Sequence, residues 1–181
     1  MSQLDILIEE VAIARNNFIT AVSGLSYEQA GFRPDTETWS VIDNVEHLFW
    51  AEFGGINGMG KAIDGIKTNK PLFTGEPIHQ GLAIETIIEK TWQEKEAVPE
   101  IAKPRMGGNL SFWIASLQSC QGLLLDLKSA LGDIDPEQVV HPQPISGPLN
   151  ILQRMQFLRF HLQRHQHQVE RISTHPGFPV K

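Results

Sequence analysis

The sequence holds a single cysteine and a single tyrosine, fewer basic than acidic residues, and no long apolar run. Each shortage excludes something. The lone thiol of Cys120 makes neither an intrachain disulfide nor a thiolate metal cluster, so any metal must be held by imidazole, carboxylate or amide groups. A reducing compartment is expected. No stretch approaches the ~20 apolar residues of a bilayer crossing, so no membrane span is expected. The opening Met1-Ser2-Gln3-Leu4-Asp5 has no basic segment, so no signal peptide is read and a cytoplasmic location is expected. With 15 Lys and Arg against 21 Asp and Glu, the formal net charge is -6, which argues against a nucleic-acid or anionic-membrane partner. What is present, 41% hydrophobic and 20% charged residues over 181 positions, is the composition and size of one globular domain covering residues 1–181.

The apolar residues recur at helical spacing. Leu4, Leu7, Ile8, Val11, Phe18, Val22 and Leu25 step mostly by three and four, and Ser2 with Asp5 forms a capping-box pair, so a helix is expected over 3–23. Ser40 and Asp43 repeat that grammar, and a second helix starts at Val41, with a frayed or kinked end expected through Gly54, Gly55, Gly58 and Gly60. Residues 68–80, with Pro71, Gly75 and Pro77, read as a loop, and a shorter helix is expected over 82–97. Leu110 to Leu131 carries the strongest core stripe. The span 132–148 contains Pro136, Pro142, Pro144 and Pro148, so it reads as a crossover over the surface, and a last helix follows over 149–173. No clear two-residue alternation competes with this reading. The fold class is all-α, a bundle of four main helices with one additional shorter helix.

Seven histidines occur, at 47, 79, 141, 161, 165, 167 and 175. His161 and His165 are four apart and stand one above the other on one helix face, where they can share an ion. His167 falls roughly 200° around the helix from His165 and is excluded. Leu158, Val169 and Ile172 turn the face of the pair toward the bundle, where imidazoles need partners, so core histidines bonded to carbonyls or carboxylates stand as the other reading. His47 lies on the second helix, on a face continued by Asn44, Ala51, Gly55 and Gly58, whose small side chains leave room for a cleft. One histidine from that helix and two from the last make a three-nitrogen tripod with open coordination positions.

Trp39-Ser40-Val41-Ile42 followed by His47-Leu48, and later His161-Leu162-Gln163-Arg164-His165 closing with Pro176-Gly177-Phe178-Pro179, resemble the DinB/YfiT-like superfamily. The resemblance spans residues 39–179. It implies a four-helix bundle with a divalent metal site for zinc, nickel or iron-like ions. The family's ligands fall on His47, His161 and His165. Characterised relatives include transferases that use low-molecular-weight thiols and a mycothiol-dependent isomerase, so a small thiol co-substrate is implied, and a homodimer is reasonable.

Three neutral imidazoles leave the full charge on a divalent ion, which favours an anionic fourth ligand. The leading expectation is a metal-dependent transferase that activates a small thiol for attack on an electrophilic small molecule. The alternatives are a metal-dependent hydrolase using bound hydroxide, and a non-catalytic, metal-stapled binding or stress-response module. A hydrolase wants a general base. Asp43 reads as the partner of Ser40, and Glu46 and Glu52 point away from the face of His47. Trp92 and Trp113 read as core, with a place in a substrate-pocket wall as the alternative for either, Cys120 as a small buried hydrophobe, and His79, His141 and His175 as surface residues in loops.

Overall fold

The computed structural model describes residues 1–74, 78–93 and 97–180. Gly75 and Pro77 of the expected loop, and residues 94–96 of the expected shorter helix, lie outside them. The fold is all-α, with helices α1 (Gln3–Val22), α2 (Tyr27–Gly31), α3 (Val41–Lys67), α4 (Ile84–Thr91), α5 (Leu110–Leu131) and α6 (Ile151–Ser173). A 3₁₀ turn at Glu100–Ala102 and a two-stranded ribbon, β1 (Val140–Gln143) with β2 (Gly147–Asn150), complete the described elements. The four long helices form the bundle: α1 and α3 each pack on both α5 and α6.

Local chemistry sets the helix starts. The side chains of Ser2, Ser26, Ser40 and Asn150 each accept from the backbone N–H three residues on, and their own backbone N–H groups donate to the side chain of that residue, a reciprocal cap at α1, α2, α3 and α6. The Ser40 cap fixes where α3 begins, and with it the rotational position of His47, two turns in. The core stripes of α1 and α5 are buried as their spacing implies, with Val11, Phe18, Leu117 and Leu124 fully sequestered.

Four expectations are corrected. Helix α3 does not fray at its glycines but runs unbroken to Lys67. Two of those glycines, and Gly65 beyond them, answer close approaches: a Cβ at Gly55 would collide with the Arg154 guanidinium, one at Gly58 with the His141 ring, and one at Gly65 would stand 2.7 Å from the Lys70 carbonyl oxygen, whereas Gly54 and Gly60 meet none. Tertiary packing outweighs the ~1 kcal/mol helix penalty of each. The span 132–148 is not a bare surface crossover, because it contains β1 and the turn into β2, with Val139, Gln143 and Ser146 buried. The register sets Pro142 opposite Pro148, where an antiparallel ladder asks for no N–H, so both prolines are tolerated. Leu149 therefore belongs to β2, and α6 begins at Ile151 behind its Asn150 cap. The shorter helix covers only Ile84–Thr91, ending at Trp92, whose extended backbone leaves the helix.

Candidate metal centre

Helices α3 and α6 bring His47, His161 and His165 to one point, all three buried. His161 Nε2 lies 3.1 Å from His47 Nε2 and 3.2 Å from His165 Nε2. The opposite nitrogens face fixed acceptors. His47 Nδ1 donates to the Ala102 carbonyl at 2.8 Å, and His165 Nδ1 donates to Asn44 Oδ1 at 2.7 Å. The Asn44 amide is itself oriented, since its Nδ2 donates to the Ser40 carbonyl at 2.8 Å. Because both Nδ1 atoms carry the proton, both Nε2 atoms present lone pairs toward His161.

That arrangement is not satisfied by hydrogen bonding alone. A neutral His161 has one N–H: placed on Nε2 it serves one neighbour and leaves the other lone pair opposed, and placed on Nδ1 it is buried with no acceptor among the described residues. Protonating the rings is no remedy. Burial pushes the His47 imidazole down to about 4, and burial, followed by the neighbouring imidazoles, takes His161 and His165 well below their ordinary range. A cation at the centre of the three Nε2 atoms answers all three lone pairs. Nitrogens bound at about 2.0–2.1 Å in a tetrahedral zinc shell stand about 3.4 Å apart, close to the separations seen. The residues fit a divalent ion, and no other His, Cys, Asp or Glu among the described residues joins the group.

Aromatic walls hold the rings. Trp39 packs on His47 at a centroid distance of 4.9 Å and stacks on His165, while Phe157 stacks on His161 at 5.5 Å. On the open side lies a cavity of about 870 Å³, lined by His47, His161, His165, Ala51, Gly55 and Trp92 among others. Trp92, expected in the core, is half-buried, lines this cavity and donates to Ser146 Oγ at 2.8 Å. Trp113 is core, as expected.

The carboxylates of α3 are engaged elsewhere. Asp43 accepts from Ser40 and pairs with Arg33 at 2.8 Å. Glu46, fully buried, accepts backbone N–H bonds from Arg105, Met106 and Gly107, and burial that would raise its carboxyl is outweighed by these bonds, which hold it below its ordinary range. It thereby ties down the segment that follows Ala102, whose carbonyl orients His47. Glu52 pairs with Arg15 inside the bundle. His167 is exposed, in keeping with its exclusion. Of the loop histidines, His175 is exposed, but His79 is buried against the Ser146 carbonyl, and His141 is half-buried on β1 over Gly58. Those two were misread as surface because the ribbon that covers them was not recognised. Arg154 and the Ala102 carbonyl were also missed. Leu158 and His161 already placed Arg154 on the inward side of α6, a signal the spacing carried.

A search of curated proteins and one of solved structures gave no match. A family model described as the DinB superfamily matches residues 10–169, which include all three histidines and most of each long helix of the bundle. The fold, the buried three-histidine group and that match agree, and the chain belongs to the DinB superfamily.

Proposed function

We propose that the protein is a divalent-metal-dependent transferase that activates a small thiol for attack on an electrophilic small molecule. His47, His161 and His165 hold the ion, with zinc the first choice and nickel or iron acceptable to the same imidazoles. When bound, such an ion supplies positive charge that lowers the pKa of a thiol or water placed beside it. The single observation that carries the reading is the tripod itself: three buried nitrogens converge with no fourth His, Cys, Asp or Glu beside them among the described residues, and the free side opens on a cavity of about 870 Å³. A structural site closes its shell with protein atoms, whereas a catalytic one keeps a position open.

The chain's own groups supply orientation and aromatic surface. The Ala102 carbonyl and Asn44 fix two ring tautomers, and Trp39, Phe157 and Trp92 flank the rings. The cavity holds the electrophile within reach, so that a sulfur–carbon bond forms while the leaving group departs with its electron pair and the thiol proton passes to solvent. The hydrolase alternative asks for a general base, and Asp43, Glu46 and Glu52 are all committed to other partners. The non-catalytic alternative does not explain the open cavity.

The test is a panel of small thiols with a generic electrophile, run on zinc-loaded protein and on His161→Ala. Thiol-dependent turnover that disappears in the variant is expected. Cleavage of esters or amides with no dependence on thiol would overturn the transferase reading in favour of hydrolysis.

A further inference from the structure

Arg154 lies on α6 seven residues before His161, two helical turns away and about 10 Å along the axis on the same side. Its side chain is buried, 4% exposed, and lines the cavity. Neither Nε nor Nη1 has a hydrogen-bond partner among the described residues, and no carboxylate there pairs with it. The guanidinium rests over the Phe157 ring, 5.6 Å from its centroid, and its Nη2 occupies the space left by the missing side chain of Gly55. Burial pushes its pKa down to about 10, with no opposing charge to restore it. A buried cation without an anion or acceptors costs several kcal/mol, and a protein keeps one where a ligand completes it.

A second group points the same way. His141, from β1, sits over Gly58, one turn along α3 from Gly55, so its ring and the guanidinium stand over the same glycine face. Its Nδ1 is buried with no partner among the described residues. Among the described residues, the cavity lining includes the cationic side chains of Lys61, Arg154 and Arg171, in a chain whose net charge is -6. Positive lining in an acidic protein selects negative solutes.

We propose that Arg154 and His141 form an oxyanion subsite in the wall of the cavity, and that the small-molecule substrate carries a carboxylate which docks there while its reacting end faces the three histidines. A carboxylate suits the site because one planar guanidinium beside a neutral imidazole matches a planar monoanion, and Phe157 and Ile145 supply apolar wall for the body that bears it. The position of the reacting end rests on the metal-dependent reading above; the anion site itself does not.

The experiment separates the two. Chelator-stripped and zinc-loaded proteins are melted at matched ionic strength with benzoate, inorganic phosphate or benzyl alcohol, using wild type, Arg154→Met and Arg154→Lys. Benzoate is expected to raise the wild-type Tm with and without zinc, and benzyl alcohol to leave it unchanged. Arg154→Met should lose the benzoate shift, and Arg154→Lys, which keeps charge but not the planar fork, should weaken benzoate by about tenfold. If Arg154→Met does not fold, the lysine variant decides. A benzoate shift that survives both substitutions, or no shift in stripped wild type, overturns the subsite. A shift with phosphate and none with benzoate overturns the carboxylate assignment. A shift that needs zinc in every case assigns the anion to the metal instead and overturns the proposal, while thiol chemistry that fails in the assay above leaves a positive Arg154 result standing.

Discussion

Arg15 and Arg154 are both buried arginines of long helices, 1% and 4% exposed, and they end differently. Arg15, on α1, gives Nε and Nη2 to Glu52 at 3.2 and 2.7 Å and Nη1 to Gln121 at 2.5 Å, tying α1 to α3 and α5. Burial pushes the Glu52 carboxyl up, and the guanidinium in contact with it opposes that rise. Arg154 has no comparable partners, and neither do the lone pairs of the three histidines nearby. One end of the polar interior meets every Arg15 nitrogen with the chain's own atoms, though Glu52 Oε1 has no partner among the described residues, and it serves the fold. The other is left open, and open buried polarity marks a place for something that is not part of the chain.

The largest effect that sharpens this contrast comes from stranding the closed cation. Glu52→Ala leaves Arg15 buried and uncompensated, and should lower the unfolding free energy by about 3–5 kcal/mol, read from urea melts. Replacing both partners by methionine should recover most of that loss. A small effect of Glu52→Ala would mean that the pair is not closed as described.

Next comes a change at the open end. Asn44→Ala removes the acceptor that orients His165 and should weaken zinc binding about 10–100-fold by competition with a chromogenic chelator, and it should destabilise the stripped protein by about 1–3 kcal/mol through the stranded Nδ1–H. Unaltered affinity would show that the His165 tautomer is fixed without Asn44.

The smallest effect is a rate. Cys120 lies beside the closed pair, where burial and then the Glu52 charge push its thiol up to about 12. At pH 8 nearly all of it is therefore the unreactive thiol, and a disulfide reagent should modify folded protein at least about 100-fold more slowly than protein unfolded in urea. The rate should rise about tenfold per pH unit between 7 and 9, since the thiolate fraction is still growing there. Equal rates in the two states would place Cys120 outside a closed interior.

Much of this was legible in the residue order. The caps at Ser2 and Ser40, the unbroken stripe from Leu110 to Leu131, and the His161 and His165 pair are local patterns, and the structure keeps each where the spacing put it. What escaped depends on contacts distant in sequence. The glycines of α3 read as breakers because nothing local announces Arg154, about a hundred residues on, or His141 in a ribbon whose prolines look hostile to strands. The Ala102 carbonyl is a backbone atom with no side-chain signature, held in place through Glu46, a carboxylate that local reasoning could only turn away from the site. The small-residue face around His47 and then the family resemblance joined it to the other two, and the pairing of helices α3 and α6 supplies the geometry.

The most direct measurement is the metal content of protein purified without a nickel column, set against His161→Ala prepared in parallel. About one divalent ion per wild-type chain and essentially none in the variant is the result expected. Equal metal in the two proteins would contradict a centre built on His47, His161 and His165.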